Sequence, residues 1–177
     1  MGNLKRFDGQ EYRLTLDISP ARKGAYLISR DLIARPVPNW ELYYGNFVNP
    51  NLDSELAHLN NEYEIFSEAY KLGINVPKPE GIFNVALSNF ESLRSLLKPI
   101  LTPALVIERI NGIPIDNISD ENERVSAEVC LDEELRKAKE RGFNPFDSIW
   151  EDNSLWDPVN KKIYLIDVDC WKRLKNN

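Results

Sequence analysis

The sequence is poor in the residues from which metal centres and nucleophilic active sites are commonly built. Of its 177 residues, one is a histidine, His58, and two are cysteines, Cys130 and Cys170, which lie far apart without a nearby set of ligands. A structural zinc site is therefore not expected, and a reduced compartment is the simpler interpretation. His58 has no histidine partner for a transition-metal site, so we expect it to be exposed or to pack. No G-x-S-x-G elbow occurs, which disfavours a Ser-His triad.

Long apolar stretches and an excess of basic residues are also missing. No apolar run approaches the roughly 20 residues that span a bilayer, and residues 1–6 do not form the apolar start of a signal peptide. We therefore expect a cytoplasmic protein without a membrane partner. The net charge is −6, which disfavours a broad nucleic-acid surface, because such surfaces neutralise phosphates with clustered Lys and Arg.

The composition is that of a folded protein with its own core, at 42% hydrophobic and 28% charged residues. The apolar periodicity predicts an α+β protein with a final hairpin at 154–166. Strands are expected at 12–18, 25–30, 32–35, 81–86 and 104–110, and helices at 54–72, 89–98 and 119–141. Gly73 is the expected C′ residue of the helix at 54–72. A change of composition near Gly112 divides the chain into an N-lobe, 1–111, and a minimal C-lobe, 112–177.

Some conspicuous residues have ordinary structural interpretations. Trp150, Trp156 and Trp171 are expected to be packing anchors of the second lobe. The acidic run at 132–134 is expected to be a solvated helix face, and the basic residues at 172–175 a frayed tail.

Three oxygen-bearing side chains in the last quarter of the chain carry the functional argument. Asp147 lies in a loop after Gly142, Asn153 begins the final hairpin, and Asp167 closes its apolar second strand. Asn153 and Asp167 could therefore converge on one ion, and hard oxygen ligands suit Mg²⁺. Each residue alone is also explained as a common turn residue. Their joint order favours a Mg²⁺-nucleotide site, because phosphoryl transfer requires positioning and neutralised charge.

Several segments in the same order resemble the protein-kinase-like fold, in its compact atypical branch of RIO kinases, the small KEOPS-associated kinase and the aminoglycoside and sugar kinases. Four segments are similar: the helix that carries Glu62 together with the Val76-Pro77-Lys78-Pro79 segment that follows it, the strand and hinge at 104–112, the loop at 142–153, and Leu165-Ile166-Asp167. The resemblance covers roughly residues 54–170. It implies a two-lobed fold, with an antiparallel N-lobe sheet plus one helix and a truncated, mainly helical C-lobe.

The resemblance also implies roles for individual residues in binding Mg²⁺ and in catalysis. Asp147 would orient the acceptor hydroxyl, and Asn153 and Asp167 would hold Mg²⁺. The family's catalytic loop usually begins with His, where this chain has Pro145. The spacing from Asp147 to Asn153 is one residue longer than usual, so the loop must bulge or Asp152 must share the metal role.

The nucleotide-binding residues implied by the resemblance lie in the N-lobe and hinge. Glu62 would pair the cation that grips the phosphates, and the backbone around Glu108 and Ile110 would meet the adenine of ATP. The third strand offers Arg35 as that cation where the family has Lys, and this exchange is not conservative. Lys23 is a possible substitute, in a turn whose single glycine would cradle phosphate weakly.

The sequence therefore leaves more than one function open. The leading hypothesis is a phosphotransferase that moves the γ-phosphoryl group of Mg-ATP to a hydroxyl acceptor, either on a protein (as in a serine/threonine kinase) or on a small molecule. A pseudokinase, acting as a nucleotide-binding, scaffold or regulatory module with a protein partner, is the alternative. The chain ends at Asn177, soon after Asp167, which predicts a minimal C-lobe with a small or partner-presented substrate, or no catalysis. An α+β interaction protein without a nucleotide site is the third hypothesis.

Overall fold

The described part of the chain is an α+β structure with two long helices. The computed structural model describes residues 5–6, 15–16, 26–36, 52–87, 100–145, 153–168 and 170–174. In chain order the elements are β1 (Lys5–Arg6), β2 (Thr15–Leu16), β3 (Tyr26–Leu27), β4 (Leu32–Pro36), α1 (Leu52–Lys71), β5 (Pro79–Leu87), β6 (Ile100–Glu108), β7 (Ile113–Pro114), a 3₁₀ turn (Ile115–Asn117), α2 (Glu121–Glu140), β8 (Phe143–Asn144), β9 (Ser154–Asp157), β10 (Lys162–Leu165) and β11 (Lys172–Arg173). Neither α1 nor α2, the helices of this described part, has an apolar stretch long enough to cross a membrane.

The chain divides into two compact units. The first contains Met1–Tyr63 and Glu80–Glu108, and the second contains Glu64–Pro79 and Arg109–Asn177. The division therefore falls within α1, near the start of β5 and at the end of β6. The lobe boundary at 111/112 stays a prediction, as does the helix at 89–98, which lies outside the described residues.

The first unit is built on a six-stranded sheet with the strand order β1-β5-β6-β4-β3-β2. From β2 through β3 and β4 to β6, neighbouring strands are antiparallel, as the sequence pattern predicts. At one edge β1 runs parallel to β5, so the expectation of a purely antiparallel sheet is wrong there. Parallel pairing requires a long crossover, and the chain between β1 and β5, which includes α1, is long enough to provide one.

The register between β4 and β6 sets the position of Arg35. Ala34 lies opposite Val106, and Arg35 lies opposite Leu105. Ala34 and Val106 are fully buried in the apolar cluster of this sheet. Side chains alternate along a strand, so Arg35 and Ala34 point to opposite faces of the sheet.

The helix α1 ends in a Schellman motif at Gly73. The Gly73 N–H donates to the carbonyl of Tyr70, and the Ile74 N–H donates to the carbonyl of Ala69, both at 3.0 Å. Gly73 has φ +75°, and Ile74 and Ala69 are buried, which completes the motif with an apolar contact pair. Gly73 is thus confirmed as the C′ residue.

The second unit packs α2 against the hairpin formed by β9 and β10. Asp120 caps α2, its Oδ1 accepting a hydrogen bond from the Glu123 N–H at 2.8 Å. Trp156 of β9 is 1% exposed and Ile163 of β10 is 1% exposed, so the hairpin contributes the centre of this core. Trp171 is also buried, at 3% exposed. Trp156 and Trp171 are therefore packing anchors as predicted, whereas Trp150 lies outside the described residues.

The C-terminal basic residues are ordered by pairing with β8. Lys172 lies opposite Asn144 and Arg173 opposite Phe143. Arg173 also forms an ion pair with Glu68 of α1. The expectation of a frayed tail is wrong for Lys172 and Arg173, because the buried ring of Trp171 packs on Phe143, with ring centroids 5.7 Å apart, and holds the following residues against β8.

Replacing Gly73 with alanine should destabilise the protein by about 1–2 kcal/mol, because a Cβ disfavours the left-handed backbone conformation. Apart from Gly73 and its two chain neighbours, no atom of the residues that the structure describes lies within 4 Å of the position that this Cβ would take, so the cost is conformational rather than steric. Gly73→Asn should cost less, since asparagine visits this conformation more readily. Equilibrium unfolding in urea measures both effects, and an alanine variant as stable as the parent would contradict the expectation.

A polar contact connects α2 with the hairpin at Glu123. Its carboxylate accepts hydrogen bonds from Lys161 Nζ at 2.9 Å and from Trp156 Nε1 at 3.1 Å. These two donors stabilise the charged form, the lysine more than the indole, and lower the pKa of Glu123 below its ordinary value of 4.5. The contact therefore stabilises the fold above about this pH and is lost as the pH falls through the lowered pKa.

Glu123→Gln should lower the free energy of unfolding at pH 7, and the difference from the parent should disappear in acid. The reason is that the parent's carboxylate is protonated below its folded-state pKa and then resembles the amide. Urea unfolding across an acidic pH series measures this convergence. The exposed Glu133→Gln variant is the matched control and should show a smaller difference at pH 7. A Glu123→Gln deficit that persists unchanged in acid would contradict the assignment.

Candidate functional site

An ion pair between a half-buried arginine and a buried glutamate joins the sheet of the first unit to α1. Nη1 of Arg35, on β4, contacts Oε1 of Glu62, on α1. Glu62 is only 7% exposed, and a charge this well buried is tolerated in proteins only where it is paired. Glu62 lies on the same helix face as the buried residues Leu59 and Phe66, so the helix geometry directs its carboxylate inward. The structure thus brings together the two residues that the sequence singled out as the cation and its carboxylate.

The predicted hinge begins where β6 ends. Glu108 is the last residue of β6 and lies opposite Leu32 of β4. Ile110 follows two residues later and is half-buried. The boundary between the two compact units falls between Glu108 and Arg109. The backbone groups expected to meet the adenine are therefore placed where the chain passes from the first unit into the second, and their role in binding stays a prediction.

The two predicted metal ligands of the second unit lie at the open end of one hairpin. Ser154 pairs with Leu165 across β9 and β10. One residue further out, the Ile166 N–H donates to the carbonyl of Asn153 at 3.0 Å. Asp167 follows directly and is half-buried, whereas Ile166 and Val168 on either side are buried. The register of the hairpin therefore brings Asn153 and Asp167 to the same place in the fold.

The chemistry of this pair fits a hard divalent cation. Asn153 offers an amide oxygen and Asp167 a carboxylate oxygen, and Mg²⁺ is commonly held in proteins by one or two such groups together with phosphate oxygens and water. Among the residues that the structure describes, no group of three His, Cys, Asp or Glu side chains is positioned to hold a metal ion. Asp147 and Asp152 are not among the described residues.

The loop predicted to carry the catalytic residue starts from an anchored strand. Pro145, which stands where the family has His, is buried and directly follows β8. Asp147 itself lies outside the described residues, as do Lys23 and Gly24 of the predicted phosphate-binding turn. His58 is exposed, which is one of the two placements expected from the sequence.

One polar residue with structural consequences was missed by sequence reasoning. Glu134 is 6% exposed, whereas its neighbours Asp132 and Glu133 are exposed, so the expectation of a solvated face is wrong at this position. Helical spacing is the signal that could have identified it, because residue 134 lies one turn from the buried residues Leu131 and Ala138. A carboxylate at this position must find hydrogen-bond donors inside the second unit.

Comparisons with known proteins give a likeness of fold. No family model matches the chain, and no curated protein matches it. Among solved structures, the chain is similar to WbdD in its co-crystal structure with a kinase inhibitor, at a TM-score of 0.54 and 14% sequence identity. The match covers 86% of this chain and 32% of that chain, so the chain spans about a third of the length of WbdD.

At this identity the likeness concerns the fold alone. It supports the protein-kinase-like fold that the sequence motifs imply, and the α+β architecture with its antiparallel sheets agrees with it. Membership of the compact atypical branch, nucleotide binding and catalysis go beyond the fold and are proposals.

Removing the guanidinium of Arg35 should destabilise the protein by about 3 kcal/mol, because the buried Glu62 carboxylate loses a charged partner. The double variant Arg35→Met/Glu62→Met should cost less than the sum of its single changes, since no unpaired carboxylate is left. Urea unfolding of the parent, both single variants and the double variant measures this coupling.

The exposed pair Arg136–Glu140, with side chains 68% and 59% exposed, provides the matched control. The same double-mutant cycle there should give a coupling of no more than about 0.5 kcal/mol. Strictly additive effects at Arg35 and Glu62 would show that the buried contact contributes nothing to stability.

Proposed function

We propose that the chain is a kinase-like phosphotransferase that binds Mg-ATP and moves its γ-phosphoryl group to a hydroxyl acceptor. The observation that carries this proposal is the open end of the β9–β10 hairpin, where Asn153 and Asp167 lie next to the hydrogen bond between Asn153 and Ile166. The likeness to WbdD, which was crystallised with a kinase inhibitor, adds support at the level of fold. Because one fold can host many functions, the residues of the site carry the argument.

The second unit would supply the metal ligands and the catalytic carboxylate. The Asn153 amide oxygen and the Asp167 carboxylate would hold Mg²⁺, which would neutralise charge on the phosphates. Asp147 accepts a hydrogen bond from the acceptor hydroxyl and orients its oxygen. Electrostatic stabilisation in enzymes usually comes from groups that are set in place before the reaction.

The first unit would supply the cation for the phosphates. Arg35 would contact phosphate oxygens, and its ion pair with Glu62 would restrict the direction of its guanidinium. The backbone around Glu108 and Ile110 offers hydrogen-bonding groups to the adenine. An arginine here keeps the positive charge of the family's lysine but presents it as a planar fork.

A nucleotide-binding module without catalysis is the second candidate function. Two observations favour it: Arg35, rather than a lysine, is the partner of Glu62, and the buried Pro145 occupies the place of the family's histidine. Such a pseudokinase would bind ATP and act through a protein partner, as a scaffold or regulatory unit.

The state of the cysteines bears on the compartment. Cys130 is a free thiol, and burial is the main reason that its pKa is raised. A raised pKa keeps a thiol protonated and unreactive. We infer a cytoplasmic location, in which a thiol such as that of Cys130 stays reduced and ATP and Mg²⁺ are present.

Asp167→Asn should lower turnover by about 100-fold or more, because an amide cannot neutralise the charge of the cation as a carboxylate does. The measurement is transfer or release of the γ-phosphate from labelled ATP, with thermal shift reporting binding of ATP with and without Mg²⁺. Asp132→Asn, an exposed change on α2, is the matched control and should behave as the parent does.

The outcomes of this experiment separate the candidate functions. A parent protein that is stabilised by Mg-ATP but releases no phosphate is a nucleotide-binding module. A parent with no thermal shift from nucleotide or metal has only the fold in common with kinases. Equal turnover by the parent, Asp167→Asn and Asp147→Asn would show that the assigned roles are wrong.

A further inference from the structure

A single asparagine links the buried carboxylate of α2 to the strand that leads into Asp167. Asn75 donates from its backbone N–H to Glu134 Oε1 at 2.6 Å and from its side-chain Nδ2 to Glu134 Oε2 at 3.1 Å. The carbonyl of the same residue accepts a hydrogen bond from the Leu165 N–H at 2.9 Å. Glu134, Asn75 and Leu165 therefore form one continuous chain of hydrogen bonds within the second unit.

This chain of hydrogen bonds acts on the backbone next to the candidate metal ligands. Leu165 is the last residue of β10, two positions before Asp167. The Leu165 N–H donates to the carbonyl of Asn75, whereas the next N–H, that of Ile166, donates to the carbonyl of Asn153 at 3.0 Å. Successive N–H groups of an extended chain point to opposite sides. The segment entering Asp167 is thus held from one side by Asn75 and from the other side by Asn153.

The charge of Glu134 makes this connection stiff. Hydrogen bonds to an ionised acceptor are roughly twice as strong as those between neutral groups. Lys137 Nζ lies 3.1 Å from Glu134 Oε1 and compensates the charge. A carboxylate buried at 6% exposure costs solvation free energy, and the apolar face of α2 would pack without it. What Glu134 adds to the fold is a fixed position for Asn75.

We propose that Glu134 is a positioning residue of the candidate metal site. Acting through Asn75, it sets the position of Leu165 and so the direction from which the Asp167 carboxylate reaches the cation. This inference rests on the function proposed above, since it takes Asn153 and Asp167 as the metal ligands. Glu134 itself contacts neither metal nor nucleotide and takes no part in proton or phosphoryl transfer.

The experiment measures metal–nucleotide affinity and backbone protection in the full chain. In Glu134→Gln, one of the two acceptor oxygens becomes an NH₂ group, so only one of the two hydrogen bonds that Asn75 donates to this side chain can still form. The Kd of Mn²⁺·ATP, measured by titration calorimetry, should rise about 10-fold, the lower end of the effect of removing an outer-shell partner of a metal site. Hydrogen exchange of residues 163–168 should become faster while that of 124–128 is unchanged.

Two further variants make the result specific. Glu133→Gln removes the same charge from an exposed neighbouring position on α2 and should leave both readouts as in the parent. Asn75→Ala keeps the two backbone hydrogen bonds and loses only the Nδ2 contact, so it should weaken binding in the same direction but less. Asn75→Ala also decides the question if Glu134→Gln fails to fold.

The outcomes distinguish this inference from the proposed function. If the parent binds Mn²⁺·ATP tightly and Glu134→Gln binds it equally well, the positioning role alone is overturned. If Glu134→Gln does not fold, unchanged affinity in Asn75→Ala has the same meaning. A parent that does not bind Mn²⁺·ATP overturns the proposed function and, with it, the positioning role. Weaker binding in Glu134→Gln with faster exchange at 163–168, and neither change in Glu133→Gln, supports the inference.

Discussion

The candidate metal site depends on the register of one antiparallel hairpin. Shifting β9 against β10 by one residue would separate Asn153 from Ile166, and it would also place the side chains of Trp156 and Ile163 on opposite faces of the hairpin, so that both could no longer be buried in one core. The turn adds a local constraint, because the Asp157 carboxylate accepts hydrogen bonds from Asn160, which lower its pKa. Core packing and turn chemistry thus favour the same register, and this register places Asn153 and the segment before Asp167 next to each other.

Each of the two helices directs one carboxylate inward, and each carboxylate is matched by donors from elsewhere in its unit. Glu62 meets Arg35 of β4 in the first unit, and Glu134 meets Asn75 and Lys137 in the second. Replacing such groups by apolar ones is often neutral or stabilising in proteins, so buried charges are weak evidence for stability. The Glu62 carboxylate contacts Arg35, the proposed cation, and the Glu134 carboxylate is connected through Asn75 to the Leu165 N–H, two residues before Asp167.

The placement of four candidate residues could be predicted from the order of residues, because the motifs are local and their spacing reflects strands and turns. The proximity of Asn153 and Asp167 followed from reading 154–166 as a hairpin, and the pairing of Glu62 with Arg35 from the motif order. The role of Glu134 could not be predicted, since its partner Asn75 lies 59 positions away in the chain. Whether an arginine at position 35 supports catalysis depends on its direction relative to a nucleotide, which no local pattern encodes.

The sequence by itself determined the α+β class, the helix at α2, the end of α1 at Gly73 and the final hairpin, because periodicity, caps and turn residues act over a few positions. Only the tertiary structure decided that β1 runs parallel to β5, that Lys172 and Arg173 pair with β8, and that Glu134 accepts hydrogen bonds from Asn75. These features join segments distant in the chain, and their free energy comes from contacts that exist only once the core has formed. The pattern of apolar residues predicts which faces of the helices and strands must be buried, whereas tertiary packing determines which segments bury them.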